Sequence, residues 1–268
     1  MHYFHVMSTT DHDIQHWLDQ LPPISLDEMS GIKLMNRTDT KFVTNKQKLA
    51  ALLELAQGNY YAQEINGSRI ANYRTVYWDT PDYRFYLEHH NGRAPRQKIR
   101  VRTYLDSDLT FLEVKTKNNH GRTKKKRITV PDHDRDIIKE AGGSEFTKQL
   151  TGETMDDVNP TVQNRFQRIT LVNMGKTERL TIDFNVCFHN YETNEDAETG
   201  ELVIIELKRD GNVYSPILEL LRRLRIHTSG FSKYCIGSVM TNAHLKRNCF
   251  NEKLVRIHKY VGDSFPKI

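Results

Sequence analysis

The chain has 268 residues, 37% of them apolar and 27% charged, with a formal charge of +5 and a pI of about 9.0. That length can bury a sizeable core in one large domain or two small ones, and the low apolar fraction describes a globular chain with a wet surface. The longest run of branched aliphatic residues, Leu202 to Ile205, is flanked by Glu201 and Glu206, far short of the ~20 apolar residues of a membrane helix.

Cys187, Cys235 and Cys249 are widely spaced, and neither CxxC nor HExxH occurs. These residues read as reduced thiols and exclude the common zinc frameworks. His12 and His16 share a helix face but make two ligands at most, and read as surface residues. The opening "MHYFHVMSTTDHD" has no basic segment followed by an apolar one, so a cytoplasmic location is expected.

In chain order, residues 1–35 read as an N-terminal helical preface. "SLDE" at 25–28 has capping-box spacing, with Ser25 as cap and Glu28 reaching back. "NKQKLAALLELAQG" (45–58) predicts a helix capped by Asn45, with Leu49, Leu52, Leu53 and Ala56 on one face and Gly58 ending it. Period-two alternation predicts strands at 36–44, 69–79, 96–105, 109–118, 123–130, 163–172, 178–188 and 201–209. "DTPDY" (79–83), "DSD" (106–108) and "NNHGR" (118–122) read as turns between them. Residues 131–160 are polar and glycine-containing, and read as an excursion with one or two short helices. "YSPILELLRRLRIH" (214–227) predicts a helix with Ser215 as cap and Pro216 in its first turn. Further helices are expected from about Ser232 and Asn248. The strand–helix–strand rhythm of a parallel sheet is missing, so the expected class is α+β, with an eight-stranded antiparallel β-barrel and flanking helices. Residues 36–268 read as a single domain that includes the C-terminal helices.

Side chains two apart on a strand share a face. "KIRVR" therefore sets Lys98, Arg100 and Arg102 opposite Ile99 and Val101. "FLEVKTK" groups Glu113, Lys115 and Lys117; "RTKKKRI" can align Lys124 with Lys126; and "RFQR" aligns Phe166 with Arg168. "ERLTIDF" groups Arg179, Thr181 and Asp183. "VIIELK" sets Glu206 and Lys208 opposite Val203, Ile205 and Leu207, and "RTDTK" groups Arg37, Asp39 and Lys41. Cations far outnumber carboxylates on these faces, although the whole chain is nearly balanced. Like charges facing one another across a sheet destabilise it. A polyanion on the face would offset that cost, and phosphate suits it because Arg and Lys offer several strong donors to each group. A lone carboxylate among cations, Glu206 above all, suits Mg²⁺ or Mn²⁺ bridging phosphate oxygens. Neither GxxxxGK[ST] nor GxGxxG occurs. Aromatic residues are not interleaved along the basic stripes as a base-stacking platform requires, so no nucleic-acid partner is expected.

The pieces "NRTDTKF", "YWDT", "KIRVRTY", "FLEVKTK", "GRTKKKRI", "RFQRITLV", "ERLTIDF", "VIIELK" and "FSKY" run in order from about residue 36 to 240. Together they resemble the polyphosphate polymerase domain of the VTC (vacuolar transporter chaperone) family, a branch of the CYTH-like triphosphate tunnel metalloenzymes. The resemblance implies an eight-stranded tunnel barrel and transfer of the γ-phosphoryl group of ATP to inorganic polyphosphate. It implies that Lys41, Arg100, Arg102, Lys115, Lys126, Arg168 and Arg179 line the tunnel as catalytic residues. Lys117, Lys124, Lys208, Ser232 and Lys233 would bind substrate, and Glu206 would hold Mn²⁺ or Mg²⁺. A membrane partner receiving the product would be a separate protein. Phe166 stands where the family often has Tyr. "RTDTK" replaces the ExExK of hydrolytic tunnel enzymes, with Arg37 for the first Glu and Asp39 for the second. Inorganic triphosphatase and non-catalytic polyphosphate or RNA binding are the alternative functions.

Overall fold

The computed structural model of the protein describes residues 8–30, 37–120, 122–211 and 213–261. Parts of several predicted spans lie outside these residues: 1–7 and 31–35 of the preface, Asn36 of the first strand, Gly121 of a turn, and residues 262–268.

Helix α1 (Thr9–Asp19) is followed by β1 (Pro23–Ile24), α2 (Leu26–Ser30), β2 (Arg37–Asn45), α3 (Lys46–Leu55), β3 (Tyr60–Gln63), β4 (Ala71–Asp79) and α4 (Arg84–His90). Next come β5 (Arg96–Tyr104), β6 (Leu109–Lys117), β7 (Thr123–Thr129), α5 (Arg135–Glu140), α6 (Gly143–Thr151), β8 (Asn159–Asn173) and β9 (Glu178–Asn190). The chain continues through β10 (Asp196–Glu198), β11 (Leu202–Asp210), α7 (Pro216–Arg223), α8 (Lys233–Thr241) and α9 (Asn251–Val261), with a 3₁₀ turn at Asn248–Phe250 before α9. No described helix is long and apolar enough to cross a membrane.

Local chemistry explains the helix starts. Ser25 and Glu28 form the expected reciprocal cap: the Ser25 amide donates to Glu28 Oε2 at 2.9 Å and the Glu28 amide to Ser25 Oγ at 3.2 Å. Asn45 Oδ1 accepts from the Lys48 amide at 3.0 Å, and Ser232 Oγ accepts from the Cys235 amide at 3.3 Å. Ser215 precedes α7 but makes no side-chain cap bond; Pro216 in the first turn starts that helix. Helix α4 carries no pattern that the sequence reading used. The buried Asp79 carboxylate starts it, accepting from the Phe85 amide at 2.9 Å and the Tyr86 amide at 2.8 Å.

The eight long strands run in the order β2–β11–β9–β8–β4–β5–β6–β7, with antiparallel neighbours throughout. They form a curled half-barrel with flanking helices. Strands β2 and β7 end this ladder among the described residues. Helices pack on the convex face in two groups. Phe42, Ile169, Leu180, Ile182, Ile205 and Leu207 are buried with residues of α1, α3 and α7. Val76, Ile99, Val101, Leu112 and Val114 are buried with residues of α4 and α5. Each buried Leu or Ile of this kind contributes about 1.5–3 kcal/mol. Part of the concave face is also apolar: Val43, Val162, Val186, Phe188 and Ile204 lie against Tyr234, Ile236 and Val239 of α8 and Leu254 and Ile257 of α9. The rest of that face is charged.

Candidate functional site

Strand register assembles the charged part of the concave face. Arg100 pairs across β5–β6 with Glu113, Lys98 with Lys115, and Arg96 with Lys117. Across β2–β11, Lys41 pairs with Glu206; across β11–β9, Glu206 pairs with Thr181 and Lys208 with Arg179; and across β9–β8, Asp183 pairs with Arg168. The apolar residues between them face the convex helices, which fixes the orientation of every alternate cation.

Carboxylates hold several of these cations. Arg100 Nε donates to Glu113 Oε2 at 2.7 Å, and its Nη2 also reaches that carboxylate. Lys125 of β7 donates to Glu113 Oε1 at 2.8 Å. Arg168 Nη2 donates to Asp183 Oδ2 at 2.8 Å, and Lys233 Nζ, at the start of α8, donates to the same oxygen. Arg102 Nε donates to Thr75 Oγ1 at 3.0 Å. Lys41 Nζ donates to the Phe231 carbonyl at 3.2 Å, and Lys98 Nζ to Ser232 Oγ at 2.8 Å. Arg179 Nη2 donates to the Met29 carbonyl at 3.3 Å, beneath α2.

Glu206 has a different setting. Its nearest cation is Lys208, at 3.5 Å. Burial pushes its pKa up, but Lys208, Lys41, Lys115 and Arg168 outweigh burial and hold the carboxyl ionised well below its ordinary range. The cations bear the reciprocal cost. The charge of Arg100, burial and the charge of Arg102 push Lys115 far below its ordinary value, against the pull of Glu206. Burial lowers Lys208 to about 8. Burial, Arg100 and Arg168 lower Arg102 to about 10. A face on which cations are this costly is complementary to an anion with more charge than the few carboxylates supply.

The VTC domain model matches residues 36–242. The chain belongs to the VTC domain family. Its fold is similar to that of the solved structure of HpAC1 from Hippeastrum, a candidate adenylyl cyclase described as having a dominant triphosphatase activity. The TM-score is 0.50 at 13% identity, over 77% of this chain and 97% of that one. A candidate adenylate cyclase from Bacillus halodurans aligns with a TM-score of 0.48 at 12% identity, over 74% of this chain and 96% of that one. No curated protein sequence matches the chain.

In this VTC domain Lys41, Arg100, Arg102, Lys115, Arg168, Arg179, Glu206 and Lys208 come together on the concave face, with Lys117 towards one end and Ser232 and Lys233 arriving from α8. Lys124 and Lys126 do not. They pair with Thr116 and Val114, so they lie on the convex side, while Lys125 and Arg127 pair with Lys115 and Glu113. Ile128 and Val130 share the face of Lys124 and Lys126 and pack in the convex-side core, so alternation and cross-strand register agree that these two lysines face away from the site. The sequence reading also passed over Lys98, Lys125, Asp183 and Glu113 as site residues, although Lys98, Asp183 and Glu113 were already grouped with the cations. It had no signal for Asn164. This side chain is buried on the concave face, next to Thr75 in register, and no protein partner meets either of its amide atoms. The amide nitrogen can donate to a phosphate oxygen, and the amide oxygen can accept from an ordered water.

No group of three or more His, Cys, Asp or Glu side chains placed to hold a metal occurs among the described residues. The donor set at Glu206 is a single ionised carboxylate. That fits a divalent ion arriving with phosphate, since Mg²⁺ commonly takes one or two carboxylates with the substrate's oxygens completing its shell.

Proposed function

We propose that this VTC domain is a metal-dependent phosphotransferase that moves the γ-phosphoryl group of ATP to the end of an inorganic polyphosphate chain. The observation that carries this reading is the convergence of Lys41, Lys115, Arg168 and Lys208 around the ionised Glu206, with Arg100 and Arg102 on the same face. Arg100, Arg102 and Arg168 hold donor phosphates. Lys41, Lys115 and Lys208 face the reacting phosphates beside Glu206. Arg179, Lys117, Ser232 and Lys233 extend the path for the chain. Glu206 would hold Mn²⁺ or Mg²⁺, which when bound supplies charge neutralisation at phosphate oxygens.

A terminal oxygen of the acceptor chain attacks the γ-phosphorus, the bond from that phosphorus to the β–γ bridging oxygen breaks, and ADP leaves. The attacking oxygen is already anionic, so a general base is not required. The cations act by alignment and by offsetting charge, the main demands of phosphoryl transfer. Glu113 and Asp183 keep the guanidinium planes of Arg100 and Arg168 aimed into the face.

The test is incubation with ATP and Mn²⁺, with nucleotides and polymer followed together. The expected products are ADP and a polymer that stains as polyphosphate on a gel. Orthophosphate without polymer would make the protein a triphosphatase. Tight polyphosphate binding without turnover would make it a binder.

A further inference from the structure

The two ends of the charged face differ in chemistry. At one end, Arg96 faces Lys117 and Lys98 faces Lys115 across β5–β6, a block of four cations with no carboxylate in its register. At the other end the same two strands turn aromatic. Tyr104 pairs with Leu109 and Arg102 with Phe111, all on the concave side. Tyr73 of β4 pairs with both Tyr104 and Phe166. The rings are in contact: Tyr73 stacks on Phe166 at 5.0 Å and meets Tyr104 at 5.0 Å, and Tyr104 meets Phe111 edge-on at 5.8 Å. Arg168 lies 5.0 Å and Arg102 5.5 Å from the Tyr73 ring, and Arg127 lies 4.3 Å from the Phe111 ring.

This rim is open to solvent. Leu105 is 46% and Leu109 49% exposed, and Tyr104 and Phe111 are half-buried. The sequence expectation that aromatic rings are not interleaved along the stripes fails at this end, and Tyr77 also faces Arg100 in register further in. Tyr104 and Phe111 sit one alternation beyond Arg102 and Glu113 on the same face.

We infer that this aromatic rim, formed by Tyr104, Phe111 and Leu109 beside Arg102 and Arg127, is a stacking subsite for the nucleobase of the donor nucleoside triphosphate. The inference rests on the reading of the charged face as a site for ATP. Purine rings stack on aromatic side chains and on arginine guanidinium planes. The spacing suits the rest of the nucleotide. At about 3.4 Å per residue, Arg102 lies ~7 Å inward from Tyr104 and Arg100 ~14 Å. A base at the rim therefore leads its phosphates past Arg102 and Arg168 towards Arg100 and Glu206. The opposite block of Arg96, Lys98, Lys115 and Lys117 is left for a ligand that is phosphate alone. The site thereby has a polarity, with the nucleoside at the β5–β6 turn and the polyphosphate at the β6–β7 end.

Equilibrium titration of ATP and of inorganic triphosphate, each with Mn²⁺, separates base from phosphate recognition. For Phe111→Ala and for Tyr104→Ala, the ratio of the ATP Kd to the inorganic triphosphate Kd is expected to rise about tenfold, and Phe111→Trp is expected to restore it. On the unaltered protein, the fluorescence of 2-aminopurine riboside triphosphate is expected to be quenched on binding, which keeps the test independent of how the variants fold. An unchanged ratio with an unquenched probe would overturn the subsite while leaving ATP binding standing. Failure of the unaltered protein to bind either triphosphate would overturn the reading of the site itself, and the subsite with it.

Discussion

Glu206 and its lysines show how single residues divide the work. The Glu206 carboxyl is held ionised by cations that crowd around it. Replacing it with Gln removes the only negative charge opposing Lys41 in register. Glu206→Gln is expected to abolish metal-dependent turnover while affinity for inorganic polyphosphate stays the same or improves. A calorimetric titration beside an activity assay reads both. Lys115 makes the opposite trade. Its charge is opposed by Arg100, burial and Arg102, so Lys115→Gln is expected to raise the melting temperature and weaken triphosphate binding, the usual tension between stability and function. Lys208 sets a pH dependence. Burial lowers it to about 8, below the ~10.4 of an unfolded lysine. Between those values the unfolded chain binds the extra proton, so stability rises with pH through that window. Phosphate affinity falls over the same range as the charge is lost. Melting curves and triphosphate titrations from pH 7 to 10 check both slopes, and Lys208→Met is expected to flatten them.

Strands were legible from the sequence because alternation leaves one answer wherever an apolar residue marks the buried side. Ile99 and Val101 locate Lys98, Arg100 and Arg102, and Val203, Ile205 and Leu207 locate Glu206 and Lys208. In "TKKKRITV" Ile128 and Val130 mark the buried side and share it with Lys124 and Lys126, so the expectation for those two lysines went against the alternation of their own strand, and Lys125 and Arg127 face the site. Helix α4 was missed because its start is set from outside, by Asp79 at the end of β4. Helix α8 was expected from about Ser232, but its place on the concave face was not legible, because it depends on close approach. A Cβ at Gly237 would overlap the Phe188 ring of β9. Gly237→Ala is therefore expected to cost about 1–3 kcal/mol by overpacking. It should also weaken phosphate binding by shifting Ser232 and Lys233. Denaturant melts and triphosphate titration measure the two effects; unchanged values in both would mean that α8 is free to move off the sheet.

At the scale of the molecule, the half-barrel sorts its side chains into three environments. The convex face is apolar and covered by helices, part of the concave face is sealed by α8 and α9, and the remainder collects cations at a cost in stability that an anion would offset. The central claim is that phosphate is held on this concave remainder and not by basic residues in general. Titration of inorganic triphosphate into the unaltered protein, Lys115→Gln and the convex-side double variant Lys124→Gln/Lys126→Gln tests it most directly. The account predicts at least a tenfold loss of affinity for Lys115→Gln and less than a twofold change for the convex pair. Equal losses in the two variants, or a loss confined to the convex pair, would contradict it.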